Sequence, residues 1–110
     1  MSVSSLQSLS ERVAEAVGEY NGMTNSGDQI DEVALFGSYA DGSATEKSDV
    51  DLLVTFRSSV VSLFTLVKAL TVMEKHLYKN VDLVQSPLPD DALLNIRKVV
   101  PLYGLRENGR

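Results

Sequence analysis

The stretch FGSYADGSATEKSDVDLLV, Phe36 to Val54, decides how this chain folds. An apolar run, Val33-Ala34-Leu35-Phe36, stops at Gly37-Ser38. A polar segment rich in Gly, Ser, Thr and Asp follows, and Asp49-Val50-Asp51 then opens a second apolar run, Leu52-Leu53-Val54. The pattern predicts a strand, a tight Gly-Ser turn, a short helical turn or loop, and a second strand. The first strand delivers a small, flexible pair to its end, and the second carries two carboxylates at its start.

In a strand, successive side chains point to opposite faces. Asp49 and Asp51 are therefore expected on one face, with Val50 turned into the core. Two neighbouring carboxylates repel, and burying either costs free energy unless a cation compensates. Magnesium suits such a pair, because it takes one or two carboxylates and fills its remaining positions with waters and substrate phosphates. For an isolated D-x-D, which is short and common, a solvated strand end is the default reading. Gly37-Ser38 adds to the pattern. Glycine adopts backbone angles closed to other residues, and a serine at a helix start offers a hydroxyl and an amide N–H to a phosphate. An ordinary capped turn is again the plain alternative. Together the two elements make a phosphate cradle facing a metal site. The pattern is not a P-loop, which requires a lysine after its last glycine.

G-S, ten residues and D-x-D, with an apolar strand on each side, resembles the DNA polymerase beta-like nucleotidyltransferase superfamily. The size of the chain points to its minimal nucleotidyltransferase (MNT) branch. Val81-Asp82-Leu83-Val84 places one acid where the family has its third carboxylate, and Arg97-Lys98-Val99-Val100-Pro101-Leu102-Tyr103 is similar to its closing segment. The match runs from about Ile30 to Tyr103. One position departs from the family: Asp41 stands in Ala40-Asp41-Gly42 where many relatives carry Arg. Lys47, just before the D-x-D, is either a replacement cation or simply solvated.

Composition fits a single minimal domain over residues 1–110, with a core at about 30–103 and a leading helix at about 4–20. Fifteen acids against ten bases give a formal charge of -5. That balance argues against a bulk electrostatic grip on nucleic acid. The absence of Cys excludes disulfides and thiolate metal sites. No membrane-length apolar stretch and no signal pattern is present, so a cytoplasmic home is expected.

Leu6, Leu9, Val13, Ala16 and Val17 recur at helical spacing and predict an amphipathic helix over Met1 to Tyr20, capped by Ser4 or Ser5. Residues Asn21 to Asp31 read as a loop. Strands are expected at Glu32–Phe36, Val50–Phe56 and Asn80–Gln85, with a helical turn at Ser38–Gly42. The longest helical pattern spans Val60 to Tyr78, capped by Ser58 or Ser59. Its stripe Leu63, Leu66, Val67, Leu70, Met73 and Leu77 is expected to pack on the sheet. The additional apolar residues Val61, Phe64 and Val72 widen that arc, which signals deep burial or a partner surface. The lone His76 sits at the helix end, where the dipole favours it. A last helix, capped by Asp90, is predicted from Ala92 to about Val100, ended by Pro101. The expected fold is α/β (α+β): a small mixed sheet with helices mainly on one face.

The resemblance implies a metal-dependent nucleotidyltransferase. Asp49, Asp51 and Asp82 would be catalytic and would hold Mg2+, in a two-metal arrangement. Gly37 and Ser38 would bind the nucleotide. AMP from ATP would pass to an acceptor hydroxyl. The minimal branch implies a HEPN-type helical partner, usually a toxin ribonuclease, and an antitoxin role that in some systems adenylylates a toxin tyrosine. The alternative is a binding module that neutralises or scaffolds a helical partner without catalysis, and homo-oligomerisation stays open. A stand-alone aminoglycoside-type enzyme lacks the length for its sugar-binding half.

Overall fold

The computed structural model describes residues 5–87 and 98–104. Along the chain run α1 (Leu6–Gly22), a 3-10 turn (Ser26–Asp28), β1 (Ile30–Phe36), α2 (Ser38–Asp41), β2 (Val50–Phe56), α3 (Leu63–Leu77), β3 (Val81–Gln85) and β4 (Val100–Gly104). The four strands form one mixed sheet in the order β3-β2-β1-β4. β1 is antiparallel to β2 and to β4, whereas β2 and β3 are parallel. Two parallel neighbours need a long crossover between them, and α3 supplies it.

β2 shows why the sheet is two-faced. Val50, Leu52, Val54 and Phe56 are buried, while Asp51, Leu53 and Thr55 alternate with them at intermediate exposure. The buried set meets α1 through Leu9, Val13, Ala16, Val17 and Tyr20, and α3 through Ala69, Val72, Met73 and Leu77. Each such side chain taken out of water contributes roughly 1.5–3 kcal/mol before chain entropy is set against it. The acid face is thereby turned away from the α1–α3 layer.

Local bonds fix the ends of these elements. The Ser5 hydroxyl accepts the Ser8 N–H at 3.1 Å and caps α1. Asn21 then ties the end of α1 to the start of β1. Its side-chain oxygen accepts the Ile30 N–H at 2.8 Å, and its amide donates to the Ile30 carbonyl at 3.1 Å. The Tyr20 hydroxyl donates to the Asp28 carbonyl at 2.8 Å, and its ring meets Phe56 edge-on at 6.4 Å. His76 on α3 bonds Glu19 on α1 at 2.8 Å, beside a Lys75–Glu19 ion pair at 3.0 Å. His76 thus clamps two helices together.

Three expectations are corrected. α3 starts at Leu63, not Val60, and its cap is Ser62, whose hydroxyl accepts the Thr65 N–H at 3.1 Å. Its buried stripe is Thr65, Ala69, Val72, Met73 and Leu77; Leu63 and Val67 lie outside it, 75% and 50% exposed. The small residues at 65 and 69 are buried, so the covered side of the helix is rotated relative to the one predicted from the larger apolar residues. Val100 opens β4 rather than closing a helix. Lys98 and Val99 lead into it without helical structure, and the remainder of that predicted helix, with its Asp90 cap, lies outside the described residues. No helix among the described residues is long and apolar enough to cross a membrane.

Candidate active site

β1 ends beside the start of β2, because Phe36 is the ladder partner of Asp51. The next residue, Gly37, has φ 74° and ψ -154°, a combination essentially confined to glycine. A second constraint acts on the same residue. A Cβ at position 37 would overlap the Asp51 carboxylate, lying 2.8 Å from Asp51 Cγ and 3.2 Å from Asp51 Cβ. The glycine is therefore required by its backbone and by the acid beside it. Its carbonyl accepts the Ala40 and Asp41 N–H groups at 3.0 and 3.1 Å, starting α2. This geometry leaves the Ser38 and Tyr39 N–H groups ahead of the first bonded turn.

The acids are positioned by the parallel pair. The Val50 N–H donates to the Asn80 carbonyl at 3.0 Å, and from there Asp51 is the ladder partner of Asp82. Laterally paired residues share a face, with strands about 4.8 Å apart. Asp82 is exposed and Asp51 partly buried. β2 starts at Val50 as expected, so Asp49 stands before it in an exposed loop, and the strand alternation expected to place it on the face of Asp51 does not reach it. It still acts on Asp51. Burial raises the Asp51 carboxyl above its ordinary value, and the charges of Asp82 and then Asp49 raise it further.

That electrostatic conflict fits a divalent cation, whose charge would relieve all three acids at once. The side chains are not a finished cage: among the described residues no group of three or more His, Asp or Glu is gathered as a metal cluster. Magnesium needs only one or two carboxylates when phosphates and waters complete its shell, so a pair of acids with a third nearby suits it.

Around this centre the structure adds residues that sequence reasoning did not single out. Tyr39 is only 6% exposed, and its buried hydroxyl has no hydrogen-bond partner among the described residues. The Lys79 ammonium stands 5.9 Å from the centre of the Tyr39 ring. Lys98 shares with Tyr39, Ala40 and Ser5 the lining of a cavity of about 490 Å³ beside α2. Nothing local in the sequence links these lysines to α2; the fold brings them there. Asp41 bonds the Ser43 N–H at 3.0 Å and its hydroxyl at 2.6 Å, so it caps its own turn. Lys47 is exposed in a turn held by Thr45 and Ser48. His76 lies on the α1–α3 side, bonded to Glu19.

The class this geometry defines is shown by comparison. Residues 11–102 match the nucleotidyltransferase domain model, and the chain belongs to that family. A Methanocaldococcus jannaschii protein, assigned provisionally as a protein adenylyltransferase, is 32% identical over 80 residues, covering 72% of this chain and 79% of that one. The fold is shared with a toxin–antitoxin complex holding AMP-PNP, at a TM-score of 0.67 and 18% identity, over 90% of this chain and 76% of the other. It is shared also with a chain from the Shewanella oneidensis complex of a tri-AMPylated HEPN toxin with an MNT antitoxin. There the TM-score is 0.63 and the identity 17%, over 96% and 77% of the two chains. The sequence-based resemblance, the α/β fold and the enzyme class are thus borne out.

Proposed function

We propose that this chain is a metal-dependent adenylyltransferase that moves AMP from ATP to a hydroxyl on a HEPN-type helical partner, in the manner of an antitoxin. The observation that carries the proposal is the Asp51–Asp82 pair, standing in register beside a glycine whose backbone angles and close approach to Asp51 strain any residue with a side chain. The adenylyltransferase relative and the toxin–antitoxin neighbours support the choice of nucleotide and partner.

In the transfer, the acceptor oxygen attacks the α-phosphorus of ATP. The bond from that phosphorus to the bridging oxygen breaks, and pyrophosphate leaves. Asp82, exposed on the open face, accepts the hydroxyl proton and passes it to solvent. Gly37 and Ser38 hold the outer phosphates through the backbone and the Ser38 hydroxyl. Asp49, Asp51 and Asp82 would hold Mg2+, which when bound supplies charge compensation for the triphosphate and the leaving pyrophosphate. The rest is positioning, as expected for phosphoryl-type transfer. The chain would act as one minimal domain in the cytoplasm, with the partner supplying the acceptor surface.

A second reading, a binding module without catalysis, is favoured by Asp41. An acid occupies the place of the family's common Arg and is tied to Ser43. Incubation with labelled ATP, Mg2+ and the candidate helical partner separates the two readings. Transfer by wild type and none by Asp51→Asn supports the enzyme. Partner binding undiminished by Asp49→Ala with Asp51→Ala, and no label in wild type, supports the module.

A further inference from the structure

We infer that the outward face of α3 is a self-association surface, on which two copies of this chain pair about a two-fold axis. This proposal stands apart from the nucleotidyl-transfer reading. Val60, Leu63, Phe64 and Val67 are 81%, 75%, 79% and 50% exposed. Leu63, Phe64 and Val67 recur at helical spacing and form one ridge on the side of α3 opposite Thr65, Ala69, Val72 and Met73, and Val60 lies in the extended stretch just before the helix. Met23, itself exposed, extends the ridge. It lines with Phe64 a cleft of about 310 Å³ bordered by Asp28 and Lys68. Scattered exposed apolar residues need no explanation, but a contiguous group this size marks a contact surface.

Charge selects the occupant. The chain carries -5 overall, with fifteen acids, yet no acid occurs between Asp51 and Glu74. Within that run the two cations are already engaged. Arg57 pairs with Asp31 at 3.2 Å, and the Lys68 ammonium donates to the Met23 carbonyl at 3.1 Å. The cleft rim has one acid, Asp28, and one base, Lys68. Two acidic molecules repel through most of their surface, whereas this face is nearly neutral and charge-matched to itself.

An isologous contact places a patch on itself. The axis then passes near Leu63 and Phe64, and the two α3 helices run antiparallel with the Val67 end of each beside the Leu63 end of the other. The patch follows the end of β2 while Asp51 lies at its start, a separation of roughly 20 Å for a seven-residue strand. Both sets of acids therefore stay open in the pair.

Sedimentation of the full chain without nucleotide tests this. Wild type is expected at twice the monomer mass, and Phe64→Lys, at an exposed position, at the monomer mass. Because the chain lacks Cys, Phe64→Cys offers one thiol per copy. A bifunctional maleimide is expected to link it into dimers and to leave Ser43→Cys, in the loop after α2, unlinked. A wild type that sediments as a monomer overturns the proposal, as does a dimer that Phe64→Lys leaves intact. A monomer that loses its helical partner on Phe64→Lys also overturns it, assigning the face to that partner instead.

Discussion

Asp51 and Asp82 are lateral partners on two parallel strands, and the first is partly buried while the second faces solvent. The pair is therefore unequal. Asp51 bears the desolvation and feels its neighbours' charge; Asp82 remains accessible for proton exchange. In the proposed transfer, this division would suit Asp51 to anchoring and Asp82 to base chemistry.

The first prediction concerns stability. The folded-state pKa of Asp51 is raised from 3.8. Its favourable contribution is complete below that unfolded value and is lost as pH rises through the folded one, so the ionised side chain destabilises the fold at neutral pH. With chelator present, Asp51→Asn should melt at or above the wild-type temperature near pH 7, and the difference should vanish below pH 3.8. Its transfer activity should be lost. Thermal melts across pH check the first part and labelled ATP the second.

Added Mg2+ should have the opposite bias. A cation that binds only the native acids stabilises by mass action. It should raise the wild-type melting temperature and leave that of an Asp49→Asn, Asp51→Asn double variant unchanged. Equal shifts in both proteins would count against these acids as the binding set.

Gly37→Ala should be costly. The backbone angles alone cost on the order of 1–3 kcal/mol for a residue with a side chain, and contact with the Asp51 carboxylate adds to that. Urea denaturation should show the loss. Combining Gly37→Ala with Asp51→Ala should recover the steric part and leave the backbone part, a non-additivity that a double-mutant cycle reads directly.

The α1–α3 clamp predicts an acid limb. Glu19 is held below its ordinary 4.5, first by the His76 hydrogen bond, then by Lys75. Its stabilisation is present above 4.5 and is lost as pH falls through the lowered folded value. Glu19→Gln should lower stability at neutral pH and flatten that limb, as followed by circular dichroism.

Much of the fold could be read from local pattern. The Gly-Ser turn, the D-x-D and the three first strands follow from apolar runs broken by small and acidic residues, and the structure places them within a residue or two. β4 could not be read this way. Arg97-Lys98-Val99-Val100 continues a helical spacing, and Pro101 looks like a helix stop; only pairing with β1 makes Val100–Gly104 a strand. The rotation of α3 was hidden because Thr65 and Ala69, weak signals by hydrophobicity, are among its buried residues. Lys79 and Lys98 reach α2 through tertiary folding, which no spacing in the chain announces.

The segment from Arg57 to Asn80, with α3 at its centre, acts as a ruler between the two acid-bearing strands. A single inserted residue that slipped β3 along β2 would move Asp82 by about 3.3 Å. It would also swing that carboxylate onto the apolar helix side. Insertions that move β3 along β2 should therefore be harmful, whereas the stretch 57–62, outside any helix or strand, can take up an extra residue without shifting Asp82.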